Sequence, residues 1–291
     1  MDMERGAACY RQWIAGQEAG LAELEAALAN AGATDAELRA VVERCMRGYQ
    51  DYVAGRRAVS PHDGTAFIAP PWCTAFERSV LWLGGCRPTV AIRLLYNLSG
   101  EGLEAQLEEL INGLGPMGPL PVGSMGITPG QMVLVTDLHR RTLLQENVLS
   151  DRLATLHEDI ADQPLFPIVR QRAAPAAQPR AGGGDCDGPV GPPGGAGRGA
   201  VDAEVDAAFN SYRAAMAQLV AEADDLRMAT ARAMATEILT PRQAVEMLAA
   251  AKQLHLSVRD WSCRAEGAQP QPNGPRVVPA NGTSAAARRN P

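Results

Sequence analysis

The sequence predicts an all-α fold: a helical bundle of seven or eight helices with a long disordered loop and a disordered C-terminal tail. Three observations lead there. Apolar residues make up 46% of the 291 positions, much of that Ala and Leu, with only 4% aromatic, a balance that favours helix over sheet. Apolar positions recur at steps of three and four, as one helical face requires. Helix-start pairs of the capping-box type stand at Thr34/Glu37, Thr74/Glu77, Thr128/Gln131 and Thr240/Gln243. No run alternates in the manner of a strand, and no hairpin turn joins two such runs.

Residues 8–29 carry Tyr10, Trp13 or Ile14, Gln17, Leu21, Leu24 and Leu28 on one face, and Gly32 marks the end. The second helix runs to about Gly55 with Leu38, Val42, Cys45, Tyr49 and Tyr52 inward. The short link between the two implies antiparallel neighbours. Residues 56–71 read as a loop containing Pro61, Gly64, Pro70 and Pro71.

The stretch 69–98 is the densest apolar segment. A helix is expected from Thr74, with Phe76, Val80 and Leu83 on its inward face and Gly84-Gly85 as its stop. Pro88 suits the first turn of the next helix, which points Ile92, Leu95 and Leu98 inward. Two of the four tryptophans, Trp72 and Trp82, fall here, so the packing centre is expected here.

A short helix follows at 103–114, then a Gly/Pro/Met loop at 115–127. From Thr128 a helix of more than thirty residues carries Met132, Val135, Leu138, Thr142, Leu149, Leu153, Leu156 and Ile160, with Pro164 and Pro167 stopping it. Residues 170–200 are low-complexity and cannot supply a core. The helical pattern resumes over 201–238 through Val205, Phe209, Tyr212, Met216, Leu219 and Leu226. The last helix carries Ala244, Met247, Leu248, Ala251, Leu254, Val258 and Trp261. Beyond it, residues 265–291 form a Pro/Gly/Asn/Ala tail expected to be disordered.

The string Trp72-x-Thr74-x-x-Glu77-Arg78-x-x-Leu81-Trp82-Leu83-Gly84-Gly85-x-Arg87 resembles the DOG1 domain, found in plant DOG1-like proteins and at the C-terminal end of TGA-type bZIP transcription factors. Tyr10-x-x-Trp13 and the segment 35–39 resemble the openings of that domain's first two helices. The resemblance implies one domain over 8–264, interrupted by the loop at about 170–200. It makes Trp13, Trp72, Glu77, Trp82, Gly84, Gly85 and Arg87 structural positions. It also implies a non-enzymatic regulatory protein of seed dormancy and abscisic acid signalling, acting in nucleus and cytoplasm. The expected partners are type 2C protein phosphatases, with self-association. Two alternatives are a haem- or lipid-sensing helical module and a transcription cofactor working beside bZIP factors.

Other classes find little support. There is no nucleophile elbow, zinc-protease, Walker or kinase motif. The formal charge is −6 and the pI near 5.3, so no overall attraction to phosphate backbones exists. No basic helix feeds a heptad repeat, so direct DNA binding is not expected. No apolar run approaches a membrane span, and the N-terminal residues lack a signal-peptide core. Six cysteines form no CxxC pair and read as reduced, packed thiols.

Four histidines remain: His62, His139, His157 and His255. His139 and His157 are about 27 Å apart along one helix, too far to share a metal ion. In the DOG1-like family, two histidines one turn apart on the last helix are associated with haem. Here the first position is His255 and the second is Arg259. The resemblance thus implies His255 as a possible haem ligand, with Arg259 as a propionate contact, since an arginine cannot ligate iron.

Overall fold

The capping boxes fix where most of the helices begin. In the computed structural model, which describes residues 2–59, 64–111, 125–173 and 195–267, Thr74, Thr128 and Thr240 each accept a hydrogen bond from the backbone three residues on, and Glu77, Gln131 and Gln243 reciprocate. Thr34 and Glu37 make the same exchange, with the Thr34 amide donating to Glu37 Oε2 at 2.8 Å. Each box satisfies amide groups that a helix end leaves without partners.

The chain runs through α1 (Asp2–Ala29), α2 (Asp35–Val59), α3 (Thr65–Ile68), α4 (Ala75–Val80), α5 (Pro88–Ile111), α6 (Pro129–Ile160), α7 (Phe166–Ala173), α8 (Gly195–Arg232) and α9 (Pro241–Ala265). The described residues contain no strand, only one isolated bridge between Trp82 and Gly85. The all-α expectation therefore holds.

The main core lies among α1, α2, α5, α6 and α9 and the end of α8. Leu24, Ile92, Leu95, Val135, Met234 and Val245 are fully buried there. Each such side chain contributes about 1.5–3 kcal/mol by leaving water. A second cluster joins Trp82 and Leu83 to Leu149 of α6 and to Leu219, Ala223 and Leu226 of α8. A third gathers Tyr10, Ile14 and Cys73, with Trp13, Trp72 and Leu256 against it.

Several elements differ from the expectation. α4 stops at Val80, because Leu81 is already extended at φ −70°, ψ 140°. Phe76 and Val80 are consequently exposed, at 55% and 57%. Trp82–Gly85 instead forms a tight turn, with Trp82 N donating to Gly85 O at 2.7 Å and Gly85 N to Trp82 O at 3.2 Å. Leu83 and Gly84 at its centre have φ of +46° and +74°, the arrangement of a type I′ turn. Gly84 suits that conformation, whereas Leu83 pays a steric cost that its burial offsets. The Gly-Gly pair is thus part of a turn, not the stop of a helix that carries Leu83.

The short helix expected at 103–114 is continuous with α5 as far as Ile111; Leu114 lies outside the described residues. As expected, α6 ends at Ile160, before Pro164. The chain kinks at non-helical Gln163, φ −144° and ψ 123°, whereas Pro167 falls in the first turn of α7 and stops no helix. A π-helical turn, Ala233–Ile238, links α8 to the start of α9. The edges of the expected loop at 170–200 are helical, through Ala173 and from Gly195; its middle, like residues 268–291 of the tail, lies outside the described residues. On α9, Trp261 and Leu254 face outward, at 59% and 43% exposed, while Val245 and Lys252 turn in. The face of α9 is rotated because Ser262, not Trp261, is the buried residue of its last turn.

Candidate functional site

The turn at Trp82–Gly85 is gripped by charges buried on other helices. Asp224 of α8, 2% exposed, lies between Arg56 of α2 and Arg227 of α8, themselves 4% and 6% exposed. Arg56 Nη2 donates to Asp224 Oδ2, and Arg227 Nη1 donates to Asp224 Oδ1 at 2.8 Å. The rest of each guanidinium serves the turn. Arg56 Nη1 donates to Gly84 O at 2.5 Å, and Arg227 Nε to Cys86 O at 2.7 Å. Arg227 Nη2 donates to Trp82 O, and to Leu83 O at 3.1 Å. Planar, multi-donor guanidiniums are suited to holding several carbonyls in one geometry.

Trp82 is fixed by the same groups. Arg87 and Arg227 stand over its ring at 5.5 and 5.4 Å, and its indole N–H donates to Ser150 Oγ at 3.0 Å. Gly85 leaves room for Arg227: a Cβ there would come within 2.8 Å of the guanidinium carbon. Glu146 of α6, with no exposed surface, anchors the start of α5. It accepts from Thr89 N at 2.7 Å and Thr89 Oγ1 at 3.0 Å, and Arg87 lies 3.7 Å away. A carboxylate at the first turn of a helix also complements its dipole.

A second polar cluster surrounds Glu77. Tyr10 Oη donates to Glu77 Oε1 at 3.0 Å, and Arg259 Nη1 donates to the two carboxylate oxygens at 3.1 and 3.2 Å. Arg259 also lies over the Tyr10 ring at 5.0 Å. The cluster ties α1, α4 and α9 together. At the end of α9, Glu266 Oε1 accepts from Ala75 N at 2.6 Å, adding a second link to the start of α4.

Trp13 stacks on Tyr52 with centroids 4.5 Å apart, and Trp72 meets Phe67 edge-on at 6.0 Å. The structure thus brings Glu77 and Arg259 into one cluster, and Trp82, Gly84, Gly85 and Arg87 into another. The sequence reading does not reach Arg56, Glu146, Asp224 and Arg227. The available signal was a charge at a core period: Asp224 and Arg227 fall among Leu219, Ala223 and Leu226 on the inward face of α8.

The chemistry on offer is ion pairing and hydrogen bonding. Burial pushes the Cys73 thiol up to about 11 and raises Cys9, Cys45 and Cys263 as well, which keeps these thiols protonated and poorly nucleophilic. The Tyr10 phenol is raised too, first by burial and then by Cys73 and Glu77. Among the described residues no three His, Cys, Asp or Glu side chains are grouped to hold a metal ion.

His255 is half-buried on α9, and burial holds its imidazole below the ordinary value. Arg259, one turn on, is already neutralised by Glu77. His139 lies against Tyr96 and His157 against Tyr212; His62 is outside the described residues. The cluster therefore offers a haem one imidazole and an arginine that a propionate would have to win from a carboxylate, a poor fit to that group.

The Glu77 carboxyl itself sits below its ordinary 4.5. Burial pushes it up, but the Thr74 amide, the Arg259 guanidinium and the Tyr10 hydroxyl outweigh that. A carboxylate with a depressed folded value gives stability that is complete above its unfolded value and is lost as pH falls through the folded one. Wild type should therefore lose stability progressively below pH 4.5. Glu77→Gln should be less stable at neutral pH and flatter on the acid limb. Urea midpoints measured from about pH 7 down to about pH 3 check this; equal slopes would show that Glu77 does not titrate in this way.

Comparison with known proteins places these features. The DOG1 family model, described as seed dormancy control, matches residues 20–97. The chain is 30% identical to Protein DOG1-like 3 of Arabidopsis thaliana over 256 residues, 87% of this chain and 82% of that protein. It is 24% identical to Protein RESPONSE TO ABA AND SALT 1 of the same plant, over 75% of each. It is 40% identical to transcription factor TGAL10 of Oryza sativa subsp. japonica over 86 residues, covering 30% of this chain and 22% of that factor.

Proposed function

Because the chain belongs to the DOG1-like family, we propose that it is a non-enzymatic regulator of seed dormancy and abscisic acid signalling that acts by binding type 2C protein phosphatases. The observation that carries this reading is the similarity to DOG1-like proteins along 87% of the chain. That span is most of the chain, not one motif. The similarity to a protein named for its response to abscisic acid and salt points the same way. The protein then works in nucleus and cytoplasm, and self-association of the helical domain belongs to the same reading. No helix among the described residues is long and apolar enough to cross a membrane.

A regulator of this kind needs a rigid surface more than a reactive centre. The two buried polar clusters supply rigidity, because each binds three or more elements through charge-assisted hydrogen bonds. The full chain, immobilised and challenged with purified type 2C phosphatases, should retain them saturably and lower their rate on a phosphopeptide. Neither retention nor inhibition at about 10 µM phosphatase would overturn the assignment.

The partial match to TGAL10 favours one further role, that of a transcription cofactor beside bZIP factors. Co-immunoprecipitation with a bZIP factor, without a DNA shift by the chain alone, is the result this role requires.

A further inference from the structure

We propose that the space between α1, α2 and α9 is a binding site for a compact organic carboxylate, held through Lys252. This site is separate from both polar clusters above and does not rest on the phosphatase reading. The cavity has a volume of about 450 Å³, within the range of small-molecule sites. Its walls include the Trp13 and Tyr52 rings, which stack on each other at 17°, and Lys252 Nζ stands over the Trp13 ring at 5.8 Å.

Lys252 is the buried charge among those that line this space. It is only 9% exposed, and its amine donates to the neutral amide oxygen of Gln17 at 3.1 Å. Among the described residues, no carboxylate lies within ion-pairing distance of it. The nearby Glu23 is taken by Arg44, whose Nε donates to it at 2.6 Å. A buried ammonium without a counter-ion is costly, and an anion entering the cavity would relieve that cost. Burial holds the Lys252 amine below its ordinary value, as expected for a cation lacking such a partner.

Glycines keep the space open. Gly16 of α1 and Gly48 of α2 both line it, and a Cβ at either would meet nothing within 4 Å. Glycine inside a helix weakens that helix, and no packing neighbour requires it at these two positions. Gly20 has a different use: a Cβ there would press on Lys252 Cε at 3.2 Å, so its absence admits the lysine stem.

The same walls select the ligand. One ammonium, with Arg44 engaged and Glu23 and Asp51 at the lining, suits a single negative charge and opposes a phosphate dianion. The edges of the Trp13–Tyr52 pair suit a small apolar body. A compact apolar monocarboxylate is therefore the matching chemistry, and 2-naphthoate is a probe of that class.

The test is calorimetric titration of the full chain with 2-naphthoate and with neutral 2-naphthamide. Wild type should bind the carboxylate about tenfold or more tightly than the amide. Lys252→Met should lose that preference. Gly16→Leu, which fills the cavity with Lys252 intact, should abolish binding of both while its helical circular dichroism is unchanged. Absence of naphthoate binding to wild type at about 10 mM overturns the proposal. So does naphthoate binding that survives Gly16→Leu, even if Lys252→Met fails to fold.

Discussion

Asp224→Ala should destabilise the protein by roughly 3–5 kcal/mol, the usual cost of removing one partner from a buried ion pair. The carboxylate neutralises two guanidiniums that are almost without solvent, so its loss strands both. It also loosens the carbonyl contacts that Arg56 and Arg227 make with the turn. In a domain of this size each kcal/mol moves the melting temperature by about 2–4 °C, so a fall of roughly 10 °C is expected in a thermal scan. The neighbouring Asp225 gives the contrast. It pairs with Arg57 in solvent, its side chain 72% exposed, and Asp225→Ala should stay within about 0.5 kcal/mol of wild type. Equal effects of the two changes would remove the buried triad from the account.

Trp82→Ala should cost a similar amount, about 3–5 kcal/mol, as a large-to-small change in a packed core. Three losses coincide. The ring leaves a cavity against Leu149, Leu219 and Leu226; Ser150 loses its donor; and Arg87 and Arg227 lose their aromatic face. Trp261→Ala is the matched control, because that ring is 59% exposed. Chemical denaturation of both variants separates them: a Trp82→Ala midpoint equal to that of Trp261→Ala would deny the turn its structural weight.

The helices were legible in the sequence because local signals specify them. Capping boxes mark their starts, and steps of three and four mark their inward faces, as Leu24, Ile92, Leu95 and Val135 bear out. The corner was legible as a place but not as a shape. Thr74/Glu77 locate the start of α4, yet nothing local says that the chain turns at Leu81, because the donors that hold the turn come from residues 56 and 227. Periodicity therefore carried Phe76 and Val80 inward where the structure puts them in solvent. The clusters were legible in halves. Glu77 was read as a cap and Arg259 as a ligand contact; their pairing spans 182 positions, which no window reading can join. Asp224 and Glu146 were hidden for a physical reason. A buried charge is explained only by its partners, and those partners lie on other helices.

The pairing of the first helix with the last has a consequence for how the protein is made. Lys252 reaches Gln17, and Arg259 reaches Tyr10, so the inner flank of α1 is completed only by α9. A ribosome adds about 5–20 residues per second, so on the order of ten seconds or more separates the emergence of α1 from that of α9. Throughout that interval Ile14 and Leu24 lack the α9 residues of the clusters that bury them in the finished fold. Until α9 emerges, the inner flank of α1 stays open to solvent, so this part of the core closes late.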